Sequence, residues 1–210
     1  MADAPTMAES HDPAAQDVQL LRDFARGRRQ AFDPLVQRHG ADIKAYALRM
    51  LRSAEQAEEV YVEAFTKLAR QSQDWKDTGT VRGFLFTAAH RQCLDILRRR
   101  KTEREATPQL IDLERTRTFQ PSPEATAMLG ELADELERAV AELPEEHRQV
   151  LLLRTVHGLS AEETAAVVGL APSQVHSRLS YARREVRGKL QRPQAPAKTT
   201  RDRRRNHEPG

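Results

Sequence analysis

The sequence predicts an all-α protein: two small helical domains joined by a flexible linker, the C-terminal one a helix-turn-helix. Three observations predict this. Apolar residues recur at three- and four-residue steps, as at Ala57, Val60, Tyr61, Ala64, Phe65 and Leu68, the period of a helix with one buried face. No stretch sustains the alternation of a half-buried strand, and aromatic residues make up only 5% of the chain, few for a sandwich or barrel. Between residues 102 and 124 the helical period is lost, broken by Thr107-Pro108 and Pro121-Ser122-Pro123, which reads as an interdomain linker in a chain of 210 residues.

Taken in order, residues 1–16 are rich in Ala, Asp and Pro without a period and read as a disordered acidic N-terminus. Val18, Leu20, Leu21 and Phe24 predict a first helix ending near Gly27. Phe32, Leu35 and Val36 begin a second, and Ile43, Ala47, Met50 and Leu51 continue the pattern after Gly40. The helix over 54–70 carries Glu55, Glu58, Glu59 and Glu63 off its apolar stripe, an acidic face. A polar turn from Asp74 to Thr80 holds the chain's only Trp, and Asp77 or Thr80 can cap a helix running to about Lys101. In that helix Val81, Leu85, Ala88, Ala89, Cys93 and Ile96 form the inward stripe. Thr87, His90, Arg91 and Arg98 are assigned outward, and Arg98-Arg99-Arg100-Lys101 exceed what the helix dipole requires at a C-terminus, so phosphate contact is inferred. Helices resume near Glu124, with Met128, Leu132, Leu136, Ala139, Val140 and Leu143 before Pro144, then Val150 to Leu153.

Leu159 to Arg187 is the most informative stretch. Ser160 and Glu163 are spaced as a capping box. Thr164, Ala165 and Val168 point inward, Gly169 stops the helix, and Pro172 opens the next one. Val175, Leu179, Ala182 and Val186 form the buried stripe of that second helix. Ser173, Ser177, Ser180 and Arg184 lie opposite, flanked by Gln174, His176 and Tyr181, as in a helix that reads a major groove. A capped αα-hairpin within a bundle would have the same pattern.

The formal charge of +3 conceals a polarity: residues 1–20 carry four acids and no Lys or Arg, while residues 189–210 carry seven Lys or Arg against two acids. The single cysteine, Cys93, excludes an intrachain disulfide and suits a reducing cytoplasm. No apolar run approaches the roughly 20 residues of a membrane span, so no membrane insertion is expected. His90 and Cys93 lie one helical turn apart but lack further ligands, so no metal site is expected. No phosphate loop, nucleophile elbow or metalloprotease motif occurs; the chain reads as a non-enzyme without cofactor or small-molecule substrate.

Two separated blocks carry a family resemblance. Residues 31–101 resemble the N-terminal domain of the extracytoplasmic-function (ECF) sigma factors of bacterial RNA polymerase. The resemblance lies in Ala31-Phe32, Gln56-Ala57-Glu58-Glu59-Val60 with Glu63 and Phe65, then Arg82, Leu85, Ala89, Leu94-Asp95 and Leu97-Arg98-Arg99. Residues 137–190 resemble the family's C-terminal domain through Leu143-Pro144-Glu145, Gly158-Leu159-Ser160, Glu163, Gly169, Val175, Ser177-Arg178-Leu179 and Ala182-Arg183.

The resemblance implies a promoter-specificity subunit with core RNA polymerase, promoter DNA and an anti-sigma factor as partners. It divides the chain into residues 17–101 for polymerase binding and −10 recognition and melting, the linker over 102–124, and residues 125–190 for −35 recognition. A basic tail follows over 191–210. It implies polymerase contact by Glu58, Glu59, Val62 and Glu63. It assigns −10 contact to Trp75, Lys76, Arg82, Thr87, His90, Arg91, Arg98, Arg99 and Arg100, with Trp75 as a wall for a flipped base or simply a core Trp. It assigns −35 contact to Ser173, Gln174, His176, Ser177, Arg178, Ser180, Tyr181, Arg183 and Arg184. Three positions depart from the family's habit: Val62 where Gln is usual, Arg91 where Asn is usual, and His176 where a long cation is common. Two other functions fit the same residues, a stand-alone helix-turn-helix regulator and a sigma-like decoy or antagonist.

Overall fold

The computed structural model describes residues 12–76, 79–106 and 127–191, with side chains from residue 132 in the last segment. Among the described residues the chain is helical throughout. The elements are α1 (Pro13–Ala25), α2 (Asp33–Leu51), α3 (Ala54–Gln71), α4 (Val81–Ala106), α5 (Ala127–Ala141), α6 (Glu145–Leu151), α7 (Ala161–Val168) and α8 (Pro172–Leu190). Residues 1–11, Asp77 and Thr78, 107–126 and 192–210 lie outside the described residues, as does the side chain of Met128, and with them most of the expected linker over 102–124 and of the basic tail over 191–210.

Two boundaries differ from expectation, at the start of α1 and the end of α4. The first helix begins at Pro13 rather than at residue 17, because Asp12 accepts from the Ala14 amide at 3.0 Å and Pro13 occupies the first helical position. Helix α2 runs through Gly40 as the continuing pattern requires, and a Cβ there would stand 3.2 Å from Cε2 of Tyr61, so the glycine serves close helix approach. Helix α4 continues to Ala106, past the boundary at 101, since nothing before Thr107-Pro108 opposes it. Its N-terminus is capped by Thr80, whose hydroxyl accepts from the Gly83 amide at 3.0 Å.

Helices α2, α3 and α4 pack against one another around Leu35, Ile43, Tyr46, Met50, Val60, Leu68, Leu85 and Phe86, all buried. Helix α1 closes this bundle with Leu21 and with Asp17, only 3% exposed. Asp17 lies 2.7 Å from Nε2 of His39, and Arg38 pairs with its other oxygen, so a buried carboxyl group from α1 is met by two side chains of α2.

At the centre, Tyr46 and His90 are buried and joined, the hydroxyl 2.9 Å from Nδ1. His90 was expected outward; it lies inside because α4 is flanked on two sides, and the ring finds its hydrogen bond there. Burial, reinforced by the charges of Arg91 and Arg98, lowers its pKa from 6.5 to about 4.

The C-terminal unit follows the predicted pattern. Both hydrogen bonds of the Ser160–Glu163 capping box form, at 3.0 and 2.7 Å. Gly169 adopts φ of +69°, which lets the chain turn sharply into Pro172. Val175, Leu179, Ala182 and Val186 are buried against Ala139, Leu143, Val150, Leu151 and Ala165.

The two units do not stand apart. Leu152, Leu153, Leu159 and Val167 of the C-terminal unit join the core of the N-terminal one, α7 lies against α4, and α6 touches α2. Arg148 donates to the carbonyls of Ala141 at 2.9 Å and Met50 at 3.3 Å, tying the units by backbone. Arg49 and Glu137 pair across the seam at 2.9 Å. Each unit retains its own apolar cluster, and Ser177 and Ser180 stay exposed.

Two measurements check this account. Asp17→Ala strands the buried His39 ring without its partner and should lower the unfolding free energy by about 2 kcal/mol, read from urea unfolding at pH 7. Because His90 titrates near 4 when folded and 6.5 when not, the unfolded chain takes up the proton first. Its contribution to stability is full above pH 6.5 and declines as pH falls toward 4, by about 1.4 kcal/mol per pH unit. His90→Gln should be less stable at pH 7 yet show a shallower loss between pH 6.5 and 4.5 than the parent; equal slopes would contradict the buried neutral ring.

Candidate nucleic-acid and polymerase interfaces

Three surfaces hold the residues singled out in the sequence. The first is α8. Its apolar stripe fixes the helix on α5, α6 and α7, and this leaves Ser173, Gln174, His176, Ser177, Ser180, Arg183 and Arg184 exposed on one continuous face. Several of these already have local tasks. Gln174 accepts from the Ala171 amide at 3.0 Å, completing the start of the helix, and the Ser177 hydroxyl donates to the Ser173 carbonyl at 3.1 Å. Arg178 and Tyr181 are half-buried at the edge of the face. Arg178 pairs with Glu146 at 3.4 Å; Tyr181 stacks on His147 at 4.1 Å between centroids and carries the Arg184 guanidinium 5.2 Å from its own. The face thus has a rigid aromatic base with arginines at its rim.

The second surface is the acidic side of α3. Glu58 and Glu59 are exposed, Val62 is 53% exposed, and Glu63 is partly so. Their ion pairs are peripheral: Glu58 with Lys44 at 2.6 Å, Glu59 with Arg99 at 4.0 Å, and Glu63 with Lys67 at 3.4 Å. Exposed pairs of this kind contribute little, about 0–1 kcal/mol, and are readily exchanged for a partner's charges. Val62 places an apolar group at the centre of the carboxylates.

The third set, around α4, is scattered. Trp75 is half-buried, edge-on to Phe84 at 5.6 Å, with an unpartnered buried Nε1; it belongs to the periphery of the core. Lys76 is exposed beside it. Thr87 is half-buried and its hydroxyl donates to the Gly83 carbonyl at 2.8 Å. His90 lies in the core and presents no atom to a ligand in this form. Arg82 donates to the backbone carbonyl of His157 and sits 3.8 Å from Asp42. Arg91, Arg98 and Arg99 are exposed, Arg98 with Asp95 at 3.3 Å. Arg100 differs from its neighbours: it donates to the Leu51 carbonyl at 2.8 Å and to Gln56, clamping the end of α4 to the turn between α2 and α3. Among the described residues no cluster of His, Cys, Asp or Glu could hold a metal, and no helix is long and apolar enough to cross a membrane.

Sequence reasoning missed the residues of the seam, chiefly His157. Its side chain is 1% exposed and packs between Tyr46 and Phe86, at 5.9 and 5.0 Å between ring centroids. One signal was available: Val150-Leu151-Leu152-Leu153 is apolar on more sides of a helix than a single core requires.

Geometry and fold together define a helix-turn-helix DNA-binding protein with a second helical unit. The model for Sigma-70 region 2 matches residues 35–103, and that for Sigma-70, region 4 matches residues 133–186. ECF RNA polymerase sigma factor SigL of Mycobacterium tuberculosis is 32% identical over 194 residues, covering 88% of this chain and 97% of that protein. SigM of the same organism is 30% identical over 167 residues, with 80% and 81% covered. SigE of Mycolicibacterium smegmatis is 31% identical over 161 residues; the match covers 76% of this chain but 62% of that longer protein. The sigma factor RpoE, solved with the anti-sigma factor NepR from Bartonella quintana, has the same fold at a TM-score of 0.65 and 20% identity, covering 76% of this chain and 96% of that one. CnrH, solved with the cytosolic domain of CnrY, aligns at 0.62 and 23% identity, covering 83% and 97%. The chain belongs to the ECF sigma factors, alternative sigma factors that direct RNA polymerase to promoters.

Proposed function

We propose that this sigma factor docks on core polymerase through Glu58, Glu59, Val62 and Glu63, reads the −35 element with the outward face of α8, and engages the −10 element with α4 and the turn before it. Residues 17–101 and 125–190 would then form the two working domains, with 102–124 as their connection. The observation that carries this reading is the free outward face of α8, held rigid by four buried apolar residues while its serines, His176 and arginines stay in solvent. Short hydroxyls permit close approach to base edges, and Arg183 and Arg184 reach the flanking phosphates. In the −10 region Arg91, Arg98 and Arg99 are the exposed cations that phosphates would recruit. Arg100 and His90 act there through the fold: the first fixes the end of α4, the second its middle. The acidic patch on α3 suits a basic helical surface, where complementary charge orients docking. The factor works in the cytoplasm and performs no reaction of its own. An anti-sigma partner is supported by the structural relative RpoE, solved with the anti-sigma factor NepR.

Run-off transcription of a genomic fragment library with core polymerase tests the proposal: transcripts should start at discrete sites only when the chain is added, and none should appear with Glu58→Lys/Glu59→Lys. Arg183→Ala and Arg184→Ala should each weaken duplex binding across sequences and reduce the slope of log affinity against log salt by about 1. An unchanged slope would exclude phosphate contact at these residues.

A further inference from the structure

The outward face of α8 is braced from outside the helix. Arg178, Tyr181 and Arg184 follow one another at three-residue steps, so they are neighbours along the helix surface and form one ridge at the edge of that face. The first turn of α6 meets this ridge. Glu146 pairs with Arg178 at 3.4 Å, and the His147 ring lies 4.1 Å from that of Tyr181, tilted by 37°. Tyr181 in turn carries the Arg184 guanidinium 5.2 Å from its centroid. That first turn is itself fixed. The amides of His147 and Arg148 donate to the Pro144 carbonyl at 2.9 and 3.0 Å, and the buried Arg148 guanidinium donates to the carbonyl of Ala141 on the preceding helix. The axis of α8 is set from beneath by Val175, Leu179, Ala182 and Val186; what the α6 contacts add is the direction of the side chains along the ridge. The buried Nδ1 of His147 makes no hydrogen bond, Glu146 Oε1 at 3.7 Å being beyond reach. The contribution of this ring to α8 is the flat face it offers Tyr181.

We infer that Glu146 and His147 are positioning residues for −35 recognition: they touch no DNA themselves and set where Arg178, Tyr181 and Arg184 meet it. The inference rests on the reading that α8 faces the −35 duplex. Ser177 and Ser180 have short side chains, so the base edges they reach depend on how the helix is seated in the groove. Contacts to the flanking phosphates fix that seating. A freely rotating arginine accepts several seatings; one held by a carboxylate or laid on a ring accepts few. Tyr181 has only two side-chain angles to fix, and a second ring behind it makes it a stiff support for Arg184. Glu146 and His147 thus act on sequence preference through the ridge. Part of the specificity for the −35 element lies in α6, before the helix-turn-helix begins.

The test uses holoenzyme formed from the full chain and core polymerase, on a promoter taken from the run-off library and given a randomised −35 segment. Transcripts are sequenced so that each −35 variant is counted. His147→Ala should reduce discrimination between preferred and disfavoured −35 bases about fivefold and leave preference within the −10 segment unchanged. His147→Phe, which keeps a ring against Tyr181, should restore it. Glu146→Gln, at a side chain 55% exposed, should also reduce discrimination, and it keeps the test decisive if His147→Ala fails to fold. The charge lost in Glu146→Gln raises affinity for every variant alike and does not enter the profile. A role confined to stability lowers the amount of active factor and scales all −35 variants together. Such uniform scaling in both substitutions would overturn the inference, as would a His147→Phe profile as flat as that of His147→Ala. A parent holoenzyme with −10 but no −35 preference would refute the assignment of α8 to the −35 element, and the inference with it. A parent with sharp −35 preference that both substitutions retain would refute the positioning role alone.

Discussion

The arrangement of this molecule depends on one short apolar run, Val150 to Leu153, that must satisfy two cores at once. Four consecutive apolar residues on a helix span more than its width, so no single partner can cover them. Val150 and Leu151 face α8 and the C-terminal core, while Leu152 and Leu153 face the N-terminal one. The helix changes character where the task changes: residues 152–156 form a π turn, with the His157 amide bonded to the Leu152 carbonyl at 3.0 Å. The wider turn advances the chain so that His157 and Leu159 follow Leu152 and Leu153 into the other unit. Arg154 steadies the exit by donating to the Leu159 carbonyl. Each leucine so buried contributes on the order of 1.5–3 kcal/mol. The seam is therefore a real stabilising contact, yet small beside the core of either unit.

Charge is divided in the same graded way. The run from Arg98 to Lys101 looks uniform but is not. Arg98, Arg99 and Lys101 hold exposed pairs with Asp95, Glu59 and Glu105, contacts cheap to exchange for phosphate. Arg100 instead satisfies a backbone carbonyl and Gln56, so removing it would loosen the end of α4 whether or not DNA is present. A helix end can thus serve as an anchor and as a cationic surface because adjacent residues point in different directions, about 100° apart.

This distinction shows what the sequence could and could not disclose. Everything governed by a helix's own period was legible: the stripe Val175, Leu179, Ala182, Val186, the capping box at Ser160, the left-handed Gly169, and the acidic face of α3. So was the family, because its motifs lie in those same local patterns. What depends on a second surface was not. His90 sits beside the stripe of α4 and reads as outward until α2 is placed over it with Tyr46 as partner. Arg100 reads like Arg99 until the α2–α3 turn arrives beneath it. Gly40 shows no reason of its own within the pattern until Tyr61 supplies one for closeness. Periodicity assigns a face; it does not name what covers the face, and for Leu152, Leu153 and His157 that cover comes from residues roughly 70 to 110 positions earlier.

The character of the seam also separates it from an ordinary domain interface. A contact selected only for stability would place a leucine where His157 sits, since an apolar side chain there would fill the space between Tyr46 and Phe86 without stranding two ring nitrogens. The groove beside Leu48 and Val140, at the edge of the same contact, is rimmed by Arg52, Asp134 and Arg138, all exposed, and opens to solvent. The unsatisfied ring therefore lies on the surface along which the two units meet. That surface combines a few leucines and the partly exposed Arg49–Glu137 pair with two arginines, Arg148 and Arg82, that each donate to a backbone carbonyl of the other unit.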